Sequence, residues 1–133
     1  MQAYPQAPPI RDKKVWKEIW QMQVPPKVKK FIWRACCNAL PTKQALMRRK
    51  IVANSICERC KLAIEEAEHA LWSCSELDVV WADQEEWSFK YEVRFLGVKE
   101  LLSWMVGKRM SLELFTYTAW SVWSQRNKVQ MNI

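Results

Sequence analysis

Residues 57–74 read CERCKLAIEEAEHALWSC: two cysteines two residues apart, one histidine and a third cysteine, spaced C-x2-C-x8-H-x4-C. The reading of this stretch decides what holds the middle of the chain together. C-x2-C is the spacing at which one tight turn aims two thiolates at a common point, and zinc takes four such donors in a tetrahedron. The competing reading is four unrelated core residues, because cysteines bury readily and a lone histidine is most often a satisfied polar group. Four candidate ligands in one short stretch favour a single zinc site made of Cys57, Cys60, His69 and Cys74. The spacing carries a geometric condition. On a regular helix five positions advance ~140° beyond a full turn, so His69 is expected in a helix that ends before Cys74. With every vertex taken by a side chain, the site has no position for water or substrate and is structural, not catalytic, and folding around it depends on metal.

Outward from this stretch, residues 51–62 read as a small hairpin or knuckle around the first cysteine pair. Glu65, Glu66 and Glu68 suit the N-terminus of a helix running through His69, Leu71 and Trp72. Downstream, SELDVVWADQ predicts a helical turn or two capped by Ser75. In WSFKYEVRFLG the residues Phe89, Tyr91, Val93 and Phe95 alternate as in a strand, with a loop as the alternative. Helix returns from Val98 in KELLSWMVGK and again in SLELFTYTAWSVWSQRNKV, with Ser111 as the cap.

Upstream, residues 1–12, with Pro5, Pro8 and Pro9, read as a flexible lead, and residues 13–133 as a single zinc-binding helical domain. From Asp12 onward Val15, Trp16, Ile19 and Trp20 fall at helical spacing until Pro25-Pro26 interrupts. Pro26 suits a first helical turn, and Val28, Phe31, Ile32 and Ala35 then form one face of a second helix. Thr42 is placed to cap a short third helix with a basic end. The fold class is mainly α: six or so helices with a zinc-stapled knuckle or hairpin at the centre. Trp16, Trp20, Trp33, Trp120 and Trp123 share helical spacing with other apolar residues and are expected in the core, and Cys36 and Cys37 are expected as packed or half-exposed thiols.

Half of the 133 residues are hydrophobic and only two are glycine, a composition for a packed helical globule. No apolar run approaches the roughly 20 residues of a membrane span, and the N-terminal stretch lacks the apolar middle of a secretion signal, which points to a soluble, intracellular protein of the nucleus or cytoplasm. Five cysteines, two of them adjacent, make a poor disulfide framework and fit a reducing compartment.

The net charge of +7 is unevenly spread. Residues 1–50 carry 12 Lys/Arg against two Asp/Glu, whereas residues 51–98 carry four against ten. Lys27, Lys30, Arg34, Lys43, Arg48, Arg49 and Lys50 lie on two adjacent predicted helices, and if those faces converge they form a phosphate-binding surface. The bland alternative is an ordinary solvated face. Asp12, Asp78 and Asp83 are the only aspartates and match no magnesium-binding pattern, so neither polymerase nor nuclease activity is expected. A cysteine nucleophile paired with His69 would need that histidine free of metal.

The ordered set VWKEIW (15–20), PPKVKKFIWRACCNALPT (25–42), Arg48-Arg49, the Cys/His pattern of 57–74 and Trp81 resembles the reverse transcriptase zinc-binding domain of plant LINE-type (non-LTR) retrotransposon polyproteins. WSVWSQRN (120–127) is similar to the segment that leads toward a ribonuclease H domain in such polyproteins. Where the family commonly has Glu-Thr shortly before the histidine, this chain has Glu65-Glu66. The resemblance implies zinc as cofactor and a nucleic-acid-associated module, and supplies no reaction. Two readings follow: a non-catalytic zinc module that binds RNA or DNA, or a protein-interaction or purely structural zinc domain whose basic face meets an acidic protein.

Overall fold

A computed structural model describes residues 9–82 and 85–131. Six α-helices appear in order: α1 Pro9–Gln21, α2 Pro26–Cys36, α3 Lys43–Arg48, α4 Asp78–Trp81, α5 Val98–Gly107 and α6 Leu112–Met131. Between α3 and α4 lie a hairpin-like knuckle, a π-helical turn His69–Ser73 and a 3-10 turn Ser75–Leu77. A second 3-10 segment, Glu85–Tyr91, precedes α5. The described residues contain one isolated antiparallel bridge, Ile56 to Ile64, and no longer strand.

The helical body is assembled from the apolar stripes the periodicity marks. Val28, Phe31, Ile32 and Ala35 of α2 are buried, and Phe31, Ile32 and Ala35 share one continuous core with Val15 and Ile19 of α1 and the buried Leu101, Leu102 and Met105 of α5. α1 packs on α2 and α5, α2 also on α5 and α6, and α6 reaches across to the π turn. α1 begins at Pro9, ahead of the Asp12 start that the apolar spacing indicates, because proline is compatible with a first turn whose N–H groups need no partner. Residues 1–8 of the expected flexible lead lie outside the described residues.

Three helices close on a left-handed residue that is not glycine. Asn38, Lys50 and Arg109 take positive φ of 56°, 63° and 59°. In each case the next residue's N–H bonds back to a carbonyl five positions earlier: Ala39 to Arg34, Ile51 to Leu46 and Met110 to Met105. This is the Schellman closure, usually built on glycine because a Cβ disfavours the left-handed conformation.

Other local expectations are corrected. Ser75 makes no capping hydrogen bond; the 3-10 turn is entered directly from Cys74. The alternating stretch 89–95 is not a strand. No neighbouring strand is there among the described residues to satisfy a ladder, and the N–H groups of Glu92 and Val93 turn back onto the Phe89 carbonyl, both at 3.0 Å. The 3-10 segment buries Trp87 beside Trp72, Trp81 and Phe115, with ring centroids 5.2–6.1 Å apart. Of the tryptophans expected in the core, Trp123 is buried and Trp16 and Trp120 are partly so, whereas Trp20 and Trp33 remain 48% and 41% exposed. Cys36 is buried and Cys37 exposed.

Candidate metal centre

The knuckle is a short antiparallel hairpin. The N–H of Cys57 donates to Ala63 O and that of Glu65 to Ser55 O, both at 2.8 Å. Between them the chain folds over on a Lys61 N–H to Cys57 O bond of 2.9 Å, with Lys61 itself at φ 58°. This places Cys57 on one arm and Cys60 on the turn. Arg59, between them, donates from Nη2 to Ala70 O at 2.5 Å and ties the knuckle to the π turn.

The π turn solves the geometric problem of the x4 spacing. His69 is helical and Cys74 follows the last helical residue, with the Cys74 N–H bonded to His69 O at 3.1 Å across five residues. A turn closed across five residues is wider than an α turn and brings positions five apart to one side. Cys57, Cys60, His69 and Cys74 thereby offer four ligand atoms that all lie within 4.8 Å of one another.

The donor set fits zinc. Zn–S and Zn–N bonds of about 2.3 and 2.0–2.1 Å in a tetrahedron require S···S near ~3.8 Å and S···N near ~3.6 Å. The Cys57 and Cys74 sulfurs are 3.9 Å apart, and Cys60 Sγ is 3.4 Å from His69 Nε2. Cys57 and Cys74 are fully buried and Cys60 half-buried, so bulk water is largely kept from the cluster.

Electrostatics separate the donors. Burial pushes the Cys60 thiol up, but backbone N–H groups of Leu62 and Ala63 and the neighbouring thiols outweigh it and bring it below its ordinary value. Cys74, more enclosed, is pushed by burial up to about 12 in the absence of a metal charge. A bound cation reverses that, since a coordinating thiol is deprotonated outright. Burial, followed by the Arg59 cation, lowers His69 and keeps its imidazole neutral, as a ligand must be. With Nε2 facing the cluster, the proton belongs on Nδ1, which lies 3.5 Å from Ser73 Oγ. Ser73 in turn donates to Glu68 Oε1 at 2.9 Å, a relay that orients the ring. Burial raises the Glu68 carboxyl to about 7.

Glu65 is a correction. It does not sit at a helix N-terminus; it is fully buried and grips Arg126 of α6, with Arg126 Nε 3.0 Å from Oε2 and Nη2 2.5 Å from Oε1. Oε1 also accepts the Lys43 N–H at 2.8 Å. Burial alone would raise the Glu65 carboxyl, but Arg126 and that N–H hold it below its ordinary value. Arg126 stacks on Trp123, 4.4 Å from the ring centre. The pair is 61 residues apart in sequence, so no local pattern signals it.

The basic residues divide. Lys27, Lys30 and Arg34 lie exposed along one side of α2, with Lys27 Nζ 5.1 Å from the Trp120 ring centre and Arg34 Nη2 3.3 Å from Ala39 O. Arg48, Arg49 and Lys50 are exposed at the end of α3. Lys43 is the exception: it is buried and its Nζ meets Glu58 at 2.6 Å, because the Thr42 cap, accepting the Ala45 N–H at 3.2 Å, starts α3 with Lys43 turned to the knuckle. It therefore leaves the expected basic surface. Of the three aspartates, Asp78 pairs with Lys90 at 2.6 Å, and Asp83 lies outside the described residues. No described helix is long and apolar enough to cross a membrane.

A helical body that carries a four-donor Cys3His cluster defines a zinc-binding helical domain. Residues 2–81 match the family described as zinc-binding in reverse transcriptase, and the chain belongs to that family. It is also 32% identical over 63 residues to a "putative ribonuclease H protein" of Arabidopsis thaliana, a match covering 47% of this chain and 10% of that protein. No solved structure matches.

Proposed function

We propose that this chain is a non-catalytic zinc-stapled module that binds RNA or DNA through the basic residues exposed on α2 and α3. The observation that carries the reading is the separation of roles. The four-donor cluster has no vertex left for chemistry, while Lys27, Lys30, Arg34, Arg48, Arg49 and Lys50 remain exposed on the N-terminal helices. Membership in the family described as zinc-binding in reverse transcriptase supports a nucleic acid as the polyanion. Residues 13–133 act as one unit in this reading, with the zinc element supporting the surface and not touching the ligand.

The test is fluorescence anisotropy of the zinc-loaded chain with single-stranded and duplex probes across a salt series. Affinity should fall steeply with salt, and Arg48→Ala/Arg49→Ala/Lys50→Ala should flatten the log–log slope by up to about three units on duplex DNA. No binding to any probe at low salt overturns the reading.

A further inference from the structure

The two exposed tryptophans are the feature the apolar core does not account for. Trp20 near the end of α1 and Trp33 of α2 have ring centroids 6.5 Å apart at an interplanar angle of 41°. Both keep close to half of their surface in water, while Trp72, Trp81 and Trp87 are almost completely buried. Indole surface left exposed in a chain with room for so many buried aromatic rings calls for a ligand.

Helix geometry defines what surrounds the pair. At ~100° per residue, Lys13 and Lys17 lie within about 60° of Trp20 around α1, and Lys29 and Lys30 flank Trp33 on α2, about 40° and 60° to either side. Lys13, Lys17 and Lys30 are exposed, and Lys29 Nζ donates to Trp20 O at 2.8 Å, holding an ammonium group against the end of α1. Each ring therefore has lysines near it on its own helix, and Lys29 lies at the junction of the two. Flat apolar faces with cations on the same two helices match a polymer with flat unstacked rings on a phosphate chain. A duplex keeps its base faces covered, and an acidic peptide lacks a planar ring on every charged unit.

We infer that Trp20 and Trp33 form a stacking platform for unpaired bases, and that the nucleic acid bound by this chain is single-stranded across α1 and α2. Lys13, Lys17, Lys29 and Lys30 hold the strand's phosphates while one or two bases pack on the indoles. This rests on the nucleic-acid reading above and adds to it the state of the strand and the groups that read it.

The experiment uses the full zinc-loaded chain and three labelled probes of equal length: oligo(dT), the same backbone carrying abasic sites, and a duplex. Oligo(dT) should bind about tenfold or more tighter than the abasic strand, and Trp20→Ala or Trp33→Ala should each remove about tenfold from oligo(dT) binding. Neither substitution should change abasic or duplex binding, and Trp20→Phe with Trp33→Phe should restore most of the loss. Both residues are exposed, so zinc content and circular dichroism should stay as in the parent chain. Equal binding of oligo(dT) and abasic strands, unaffected by the alanine variants, overturns the platform and leaves the electrostatic reading standing. No binding to any probe overturns both. A concentration-dependent dimer in sedimentation that either alanine variant dissolves, without loss of oligo(dT) binding, overturns the platform in favour of contact between copies.

Discussion

The knuckle and the helical body are held by different physics. The body formed by α1, α2, α5 and α6 buries aliphatic and aromatic residues in one connected core. The hairpin of residues 55–65 buries Ser55, Cys57 and Glu65, while Ile56, Leu62 and Ile64 point outward, 40%, 83% and 48% exposed. Of the hairpin's described residues Cys57 joins that core and Cys60 packs against it, so apolar burial contributes little to such an element. Its ordering comes from a few directional bonds: four donors aimed at one point, the Arg59 clamp and the Glu65–Arg126 pair. Apolar packing spreads its loss over many contacts, whereas directional bonds fail completely when one partner is removed.

The largest effect that separates the two regions is removal of metal. Chelation, Cys57→Ser or His69→Ala should reduce zinc from one per chain to none by mass spectrometry. Amide exchange should then show residues 55–65 losing protection while α1 and α5 keep theirs. Equal loss in both regions would show that they are one cooperative unit. Next in size, Arg126→Ala leaves the buried Glu65 carboxylate without its cation and should cost about 3–5 kcal/mol in urea unfolding. Because the folded Glu65 is held below its ordinary value, the pair contributes fully above the unfolded pKa of about 4.3 and its contribution is lost as pH falls through the folded value. The difference between the parent and Arg126→Ala should persist at neutral pH and close in acid.

Leu101→Ala, in the fully buried centre of α5, should cost about 2–5 kcal/mol by the same unfolding assay. Zinc stoichiometry should stay at one per chain. A loss of metal there would mean that the body shapes the site. The smallest effect concerns the left-handed residues. Arg109→Gly, which relieves a Cβ at a helix end, should stabilise by about 0.5–1 kcal/mol with or without zinc. Lys61→Gly should do so only in the zinc-loaded chain, because the turn that imposes its positive φ forms with the site.

The difference between the regions also explains what could be read in the sequence. The burial of Val28, Phe31, Ile32 and Ala35 follows from helical periodicity, and the Cys/His cluster follows from spacing, because both are local signals. Glu65 is misread as a helix-start residue because its partner, Arg126, stands a whole chain segment away. Trp20 and Trp33 fit the apolar spacing of their helices yet lie at the edge of the stripe, where periodicity cannot distinguish a core ring from an exposed one. Lys43 looks like its basic neighbours until the Thr42 cap and Glu58 turn it inward. Phe89 and Phe95 alternate with polar residues, but alternation specifies a strand only when another strand is available to pair with it.

The π turn between His69 and Cys74 has a consequence for how this sequence can change. A turn held open by one residue more than an α-helix needs is a counting device. Deleting any one residue from Ala70 to Ser73 lets the turn close to the ordinary helical repeat and leaves His69 and Cys74 four positions apart, roughly 40° from each other on a regular helix, so both donors still face one point. Inserting one residue places them six apart, roughly 120° to the other side, and turns Cys74 away from the cluster although every donor is still present. The segment can lose a codon and keep its site, but it cannot gain one.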